Sequence, residues 1–170
     1  MVGEDDGLAA AEVGAMESVT KSIDVDVPVA TAYDQWTRFE EFPRFMEGVR
    51  EVRHLDEQRL FWRARIAGKD VEWTAEITEQ AADRVVAWRS TSGAPNAGEV
   101  RFEPLDAART RVHLRLSYLP RSAEEKLADL AGVVRARVEG DLRRFKEFVE
   151  SGSRQTGGWR GEVNTEKAPR

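Results

Sequence analysis

The chain has 170 residues, no cysteine and a formal net charge of -5. That length favours one domain able to bury its own core, and the missing cysteines exclude disulfides, thiolate chemistry and Cys-ligated zinc. Five acids ahead of the first basic residue, Lys21, account for the whole excess of 31 acidic over 26 basic residues, so the remainder is neutral and lacks the one-signed field of a nucleic-acid binder.

Residues 1–17 are small and acidic, which predicts a disordered leader ahead of a domain spanning 18–151. They carry no basic n-region and no long apolar run, so they do not read as a signal peptide. Nothing later approaches the ~20 apolar residues of a membrane span. A cytoplasmic protein is expected.

Order is expected from Val19, where Val19, Ile23, Val25 and Val27 share one parity, the signature of a half-buried strand. Pro28 ends that strand and suits the first turn of a helix, in which Val29, Ala32, Tyr33 and Trp36 recur at three and four. A second short helical piece runs from Phe39 to Phe45 and closes near Gly48. Strands follow in series: Val49 to Leu55, Leu60 to Ile66, Val71 to Thr78, Arg84 to Ser90, Glu99 to Leu105 and Arg109 to Leu119. Gly68-Lys69 offers a tight hairpin turn. Ser92 to Gly98 reads as a loop on composition, with Asn96 either making its turn or gating a mouth.

Ser122 to Glu125 forms a capping box. After it, Leu127, Leu130, Val134, Val138, Leu142, Phe145 and Val149 build one apolar face about six turns long. Gly152 marks the stop, and a glycine-rich tail, 152–170, follows with Trp159 and Val163 as its large apolar groups. The fold class is therefore α+β: a curved antiparallel meander wrapped around a long C-terminal helix, with two short helices after the first strand. Such a sheet leaves a gap where it diverges from the helix, and the short helices are placed to close it.

The run Trp36 to Val49 resembles a segment of bacterial polyketide cyclase/dehydrase-like proteins of the START-related, helix-grip superfamily. Glu72 to Glu79, Ala87 to Ser90, Phe102 to Leu105, Gly140 to Lys146 and Trp159 to Val163 are similar to that group as well. The resemblance covers roughly residues 19–150 and implies a hydrophobic cavity. It does not choose among aromatase/cyclases, lipid carriers, quinone-binding proteins and chaperone-associated modules. Aromatase/cyclases use pocket Arg and Tyr groups, for which the resemblance offers Arg89, Tyr33 and Tyr118.

Metal and cofactor chemistry finds little support. His54 and His113 are isolated and without ligand spacing, and there is no nucleophile elbow or phosphate-cradling loop. Trp62, Trp73 and Trp88 fall on three successive strands. Small residues beside Trp62 and Trp73 leave room on the same face for a flat apolar ligand, although plain core packing explains the rings equally well. Asp141 sits inside the helix's apolar stripe, either paired with Arg137 or Arg144 or serving as a polar anchor or general acid/base. Trp88 and Arg89 must face opposite sides, and the register stays open.

The expected ligand wall is Tyr33, Phe45, Trp62, Trp73, Trp88, Leu116, Tyr118 and Val134, with Tyr118, Asp141 and Arg89 as candidate catalytic groups. Three functions remain: binding a lipid, quinone or aromatic polyketide-like molecule, cyclising a polyketide in the same cavity, or acting as a filled interaction module. Oligomeric state is left open.

Overall fold

The computed structural model describes residues 16–66, 68–93, 95–119, 130–151 and 163–164. The chain runs β1 (Glu17–Val25), α1 (Val29–Trp36), a 3-10 helix (Phe39–Arg44), β2 (Val49–His54), β3 (Arg59–Ile66), β4 (Lys69–Ala81), β5 (Val85–Gly93), β6 (Asn96–Asp106), β7 (Arg109–Tyr118), α2 (Leu130–Glu150) and β8 (Val163–Asn164). The capping box at Ser122 to Glu125, Leu127 and Trp159 lie outside the described residues.

The strands form one antiparallel sheet in the order β1-β7-β6-β5-β4-β3-β2, with β8 paired to β4. Consecutive hairpins explain this order everywhere except at β1, which returns to pair with β7 from Glu17↔Tyr118 to Val25↔Thr110. Register shifts within β4, at Thr74/Ala75 and Ile77/Glu79, add local bends to the natural twist. The sheet curls around α2, whose Val138, Leu142, Phe145 and Val149 are buried against it.

One expectation needs correction. The stretch Ser92 to Gly98 is not a loop, because β5 runs to Gly93 and β6 already begins at Asn96. Gly93 turns the chain at a φ of +81°, a conformation glycine adopts freely. Gly98 sits within β6 because the ring of Trp88 occupies the place of its missing side chain. Asn96 is a buried strand residue.

The hollow is packed solid toward the C-terminal end of α2. Trp36 meets Phe145 with ring centroids 4.9 Å apart and Phe42 at 5.7 Å, while Phe45 meets Phe145 at 5.2 Å. Edge-on and tilted contacts of this kind add to the apolar burial of large rings. The short helices therefore fill this half of the groove.

Candidate ligand-binding site

Parity along the strands sorts the candidate residues. The pairs Trp62↔Trp73, Ile77↔Trp88, Trp88↔Gly98 and Gly98↔Leu116 place Trp62, Trp73, Trp88 and Leu116 on the concave face. Asn96 and Tyr118 pair with each other on that same side. The indoles of Trp62 and Trp73 stack at 5.3 Å and 13°, and those of Trp62 and Trp88 at 6.3 Å and 25°. Val134 of α2 is partly buried and packs against the hydrophobic core.

Burial here is incompletely compensated. Trp62 is 5% and Trp73 9% exposed, and their Nε1 atoms, with the Tyr118 hydroxyl, are buried without a hydrogen-bond partner among the described residues. Each such donor costs on the order of 1–3 kcal/mol. Trp88 differs, because its Nε1 donates to Asn96 Oδ1 at 3.3 Å and the Asn96 N–H donates to Ser90 Oγ at 3.1 Å. Among the described residues Trp36 Nε1 also lacks a partner, but it lies among the packed rings. Desolvation, reinforced by the charge of Glu17 and opposed by Arg135, raises the Tyr118 hydroxyl above its ordinary value of 10.0. Tyr118 is therefore a phenol at neutral pH, able to donate.

The remaining candidates lie elsewhere. Tyr33 and Phe45 are fully buried in the packed half, where the Tyr33 hydroxyl accepts a hydrogen bond from Gln80 Nε2 at 3.1 Å. Arg89 is a correction: Trp88 faces inward, so Arg89 projects from the convex face and lies 3.6 Å from Glu76. Adjacent strand residues cannot share a face.

Asp141 also acts away from the tryptophans. Its Oδ1 accepts from Arg144 Nη2 at 2.6 Å and from the Glu47 N–H at 3.1 Å. Arg144 Nε donates to the Phe45 carbonyl at 3.0 Å, and Arg137 Nη1 to that of Glu47 at 2.8 Å. Burial pushes the Asp141 carboxyl up to about 6 despite the Arg144 and Glu47 hydrogen bonds that favour its charge. The group clasps α2 to the turn after the 3-10 helix.

Sequence reasoning assigned Asn96 to a turn or a mouth and missed Ser90; in the fold Asn96, held by Ser90, accepts the Trp88 N–H. The detectable signal was Gly98, a residue without a side chain at the position opposite a tryptophan. Among the described residues no group of acids or histidines could hold a metal, and no described helix is long and apolar enough to cross a membrane.

A sheet curled around a C-terminal helix, with a concave aromatic face, defines a helix-grip protein. The sequence profile of the family described as "Polyketide cyclase / dehydrase and lipid transport" matches residues 25–147, and the chain belongs to that family. It is 46% identical over 149 residues to an uncharacterised 17.2 kDa protein of Streptomyces lincolnensis, an alignment covering 87% of this chain and 99% of the relative. Its fold is similar to the Zhui aromatase/cyclase of Streptomyces sp. R1128, with a TM-score of 0.71 and 22% identity over 85% of this chain and 99% of that one. A Deinococcus radiodurans protein is 30% identical, with a TM-score of 0.63, over 80% of this chain and 99% of its own. Family membership supports a role in handling a hydrophobic ligand, by binding it or by cyclising it.

Proposed function

We propose that the protein binds a flat, apolar molecule bearing oxygen acceptors, such as a quinone or an aromatic polyketide, against Trp62, Trp73, Trp88, Leu116, Tyr118 and Val134. One observation carries this reading: Trp62 Nε1, Trp73 Nε1 and Tyr118 Oη are buried donors on one apolar face without partners among the described residues. Carbonyl or phenol oxygens would complement them, and apolar burial of the rings would drive association. A plain hydrocarbon chain would leave all three donors unpaired.

A thermal-shift panel of naphthoquinones, hydroxyanthraquinones and fatty acids, with native mass spectrometry, tests it. At a ligand concentration one hundred times Kd the stabilisation is about 2.7 kcal/mol, which the melting temperature reports. Oxygenated aromatics should shift it and quench tryptophan fluorescence, and fatty acids should do less. A flat response across the panel with no complex in the mass spectrum rejects the proposal.

A second reading, polyketide cyclisation on the same face, draws on the family and on the aromatase/cyclase description of the Streptomyces sp. R1128 protein. Orientation of a reactive chain would supply most of the rate, with Tyr118 as the proton donor. Asp141 and Arg89 are too differently placed to share that work. Loss of turnover with retained product binding in Tyr118→Phe supports the reading; unchanged turnover removes it.

A further inference from the structure

Thr37, Phe39, His54, Asp56, Glu57 and Gln80 line an open cleft of about 320 Å³, just within the size range of small-molecule sites. Gln80 lies seven residues along β4 from Trp73, roughly 23 Å of strand, so the cleft is distinct from the tryptophan face. Its wall is an aromatic pair, Phe39 and His54, with ring centroids 5.5 Å apart. Its floor is Gln80, 1% exposed, whose Nε2 is held by the Tyr33 hydroxyl.

Among the described residues, the free polar groups at this cleft are acceptors. Glu40 Oε2 lies 2.5 Å from His54 Nδ1 and also accepts the His54 backbone N–H. Burial opposes ionisation of Glu40, yet the hydrogen bonds from His54 prevail and hold its carboxyl below the usual range. An ionised Glu40 accepts only, so the imidazole proton sits on Nδ1 and, in the neutral ring, Nε2 is left as an acceptor. Among the described residues neither His54 Nε2 nor the Glu57 carboxylate has a protein partner. Arg59, the nearby cation, is committed to Asp56 at 2.8 Å.

From this we infer a second small-molecule site, at the Phe39–His54 cleft, that takes a protonated organic amine with an apolar body. The ammonium group donates to Glu57 and His54 Nε2, and the body lies against Phe39, whose ring face also attracts a cation. A carboxylate ligand meets Glu40, Asp56 and Glu57 and is repelled.

The test uses the full chain and three probes of one shape: phenethylamine, phenethyl alcohol and 3-phenylpropionate. Ring signals of His54 and Phe39 are followed by NMR during titration. The amine should shift them saturably, the alcohol should bind at least tenfold more weakly, and the carboxylate should leave them unmoved. Glu57 is exposed, so Glu57→Gln tests charge without touching the core. It should weaken the amine about two- to fivefold, the range of an exposed ion pair, and leave the alcohol unchanged. Equal affinity for amine and alcohol overturns the proposal, as do amine-induced shifts at Trp62 and Trp73 in place of His54, or no response to the amine at all. A failure of the amine to bind at His54 leaves quinone binding at the tryptophans untouched.

Discussion

The indole of Trp88 occupies the space that a side chain at position 98 would need: a Cβ on Gly98 would collide with Trp88 Cζ2. The two residues face each other across β5 and β6, so one strand is bare where its neighbour carries the largest side chain. The bare position lets Trp88 settle on the backbone, reach Asn96 with its N–H and stack against Trp62. The concave aromatic surface depends on that vacancy.

Gly98→Ala should therefore act on the site through Trp88. Overpacking of this kind costs about 1–3 kcal/mol, because the ring must leave its place above the strand. Urea denaturation should show the loss, and the tryptophan emission of the folded protein should change with it. A variant with wild-type stability and emission would mean that Trp88 is not held there.

Tyr118→Phe separates stability from binding. The hydroxyl is a buried group without a partner among the described residues, so its removal should leave stability unchanged or raise it by up to about 1 kcal/mol. An oxygenated ligand loses one hydrogen bond, and its affinity should fall by about 1 kcal/mol, roughly fivefold. Thermal melts and fluorescence titration on the same variant read the two effects. Opposite signs are expected. Lower stability with unchanged affinity would show that the hydroxyl serves the fold.

Asp141 predicts a pH effect with a definite sign. Its carboxyl titrates at about 6 in the folded protein against an ordinary 3.8, so the fold binds a proton more tightly than the unfolded chain. Its contribution is fully present below the lower value and is lost as pH rises through the higher one. The gap corresponds to at most about 3 kcal/mol, less where Arg144 relaxes to meet the charge. Asp141→Asn keeps an acceptor for the Glu47 N–H and cannot ionise. Between about pH 4 and pH 7 the stability of this variant should gain on the wild type by about 1–3 kcal/mol. Urea titrations across that range measure the gain, and a difference independent of pH would refute it.

The architecture was legible because period-2 and period-3.6 patterns report which face of an element is apolar. Trp62 and Trp73 were placed on one face by parity with Ala64 and Ala75, and the structure keeps them there. Tyr33 and Phe45 were expected to line a ligand wall and are fully buried in the fold; an aromatic filling a hollow has the same local pattern as one lining it. Packing with Phe102 and Phe145, far away in sequence, decides between them. Arg89 was undecided for a related reason: one residue of register reverses a strand's faces, and only pairing with β4 and β6 fixes it. Asp141 found its partners in a backbone N–H at Glu47 and the side chain of Arg144, and no helical wheel displays the first.

Arg89 and Trp73 make the sharpest paired test of which face of the sheet binds. Arg89 lies 3.6 Å from Glu76, with about half of its side chain exposed. Such a pair is worth at most about 1 kcal/mol, so Arg89→Ala should leave ligand affinity within about twofold of wild type. Trp73→Phe keeps an apolar ring on the concave face and deletes one unpartnered N–H. Affinity for an oxygenated aromatic should fall by about 1 kcal/mol, roughly fivefold, while affinity for the parent hydrocarbon holds. Fluorescence or calorimetric titration of both variants against both ligands measures the contrast. If Arg89→Ala weakened binding and Trp73→Phe did not, the ligand would sit on the convex face, where charge governs recognition.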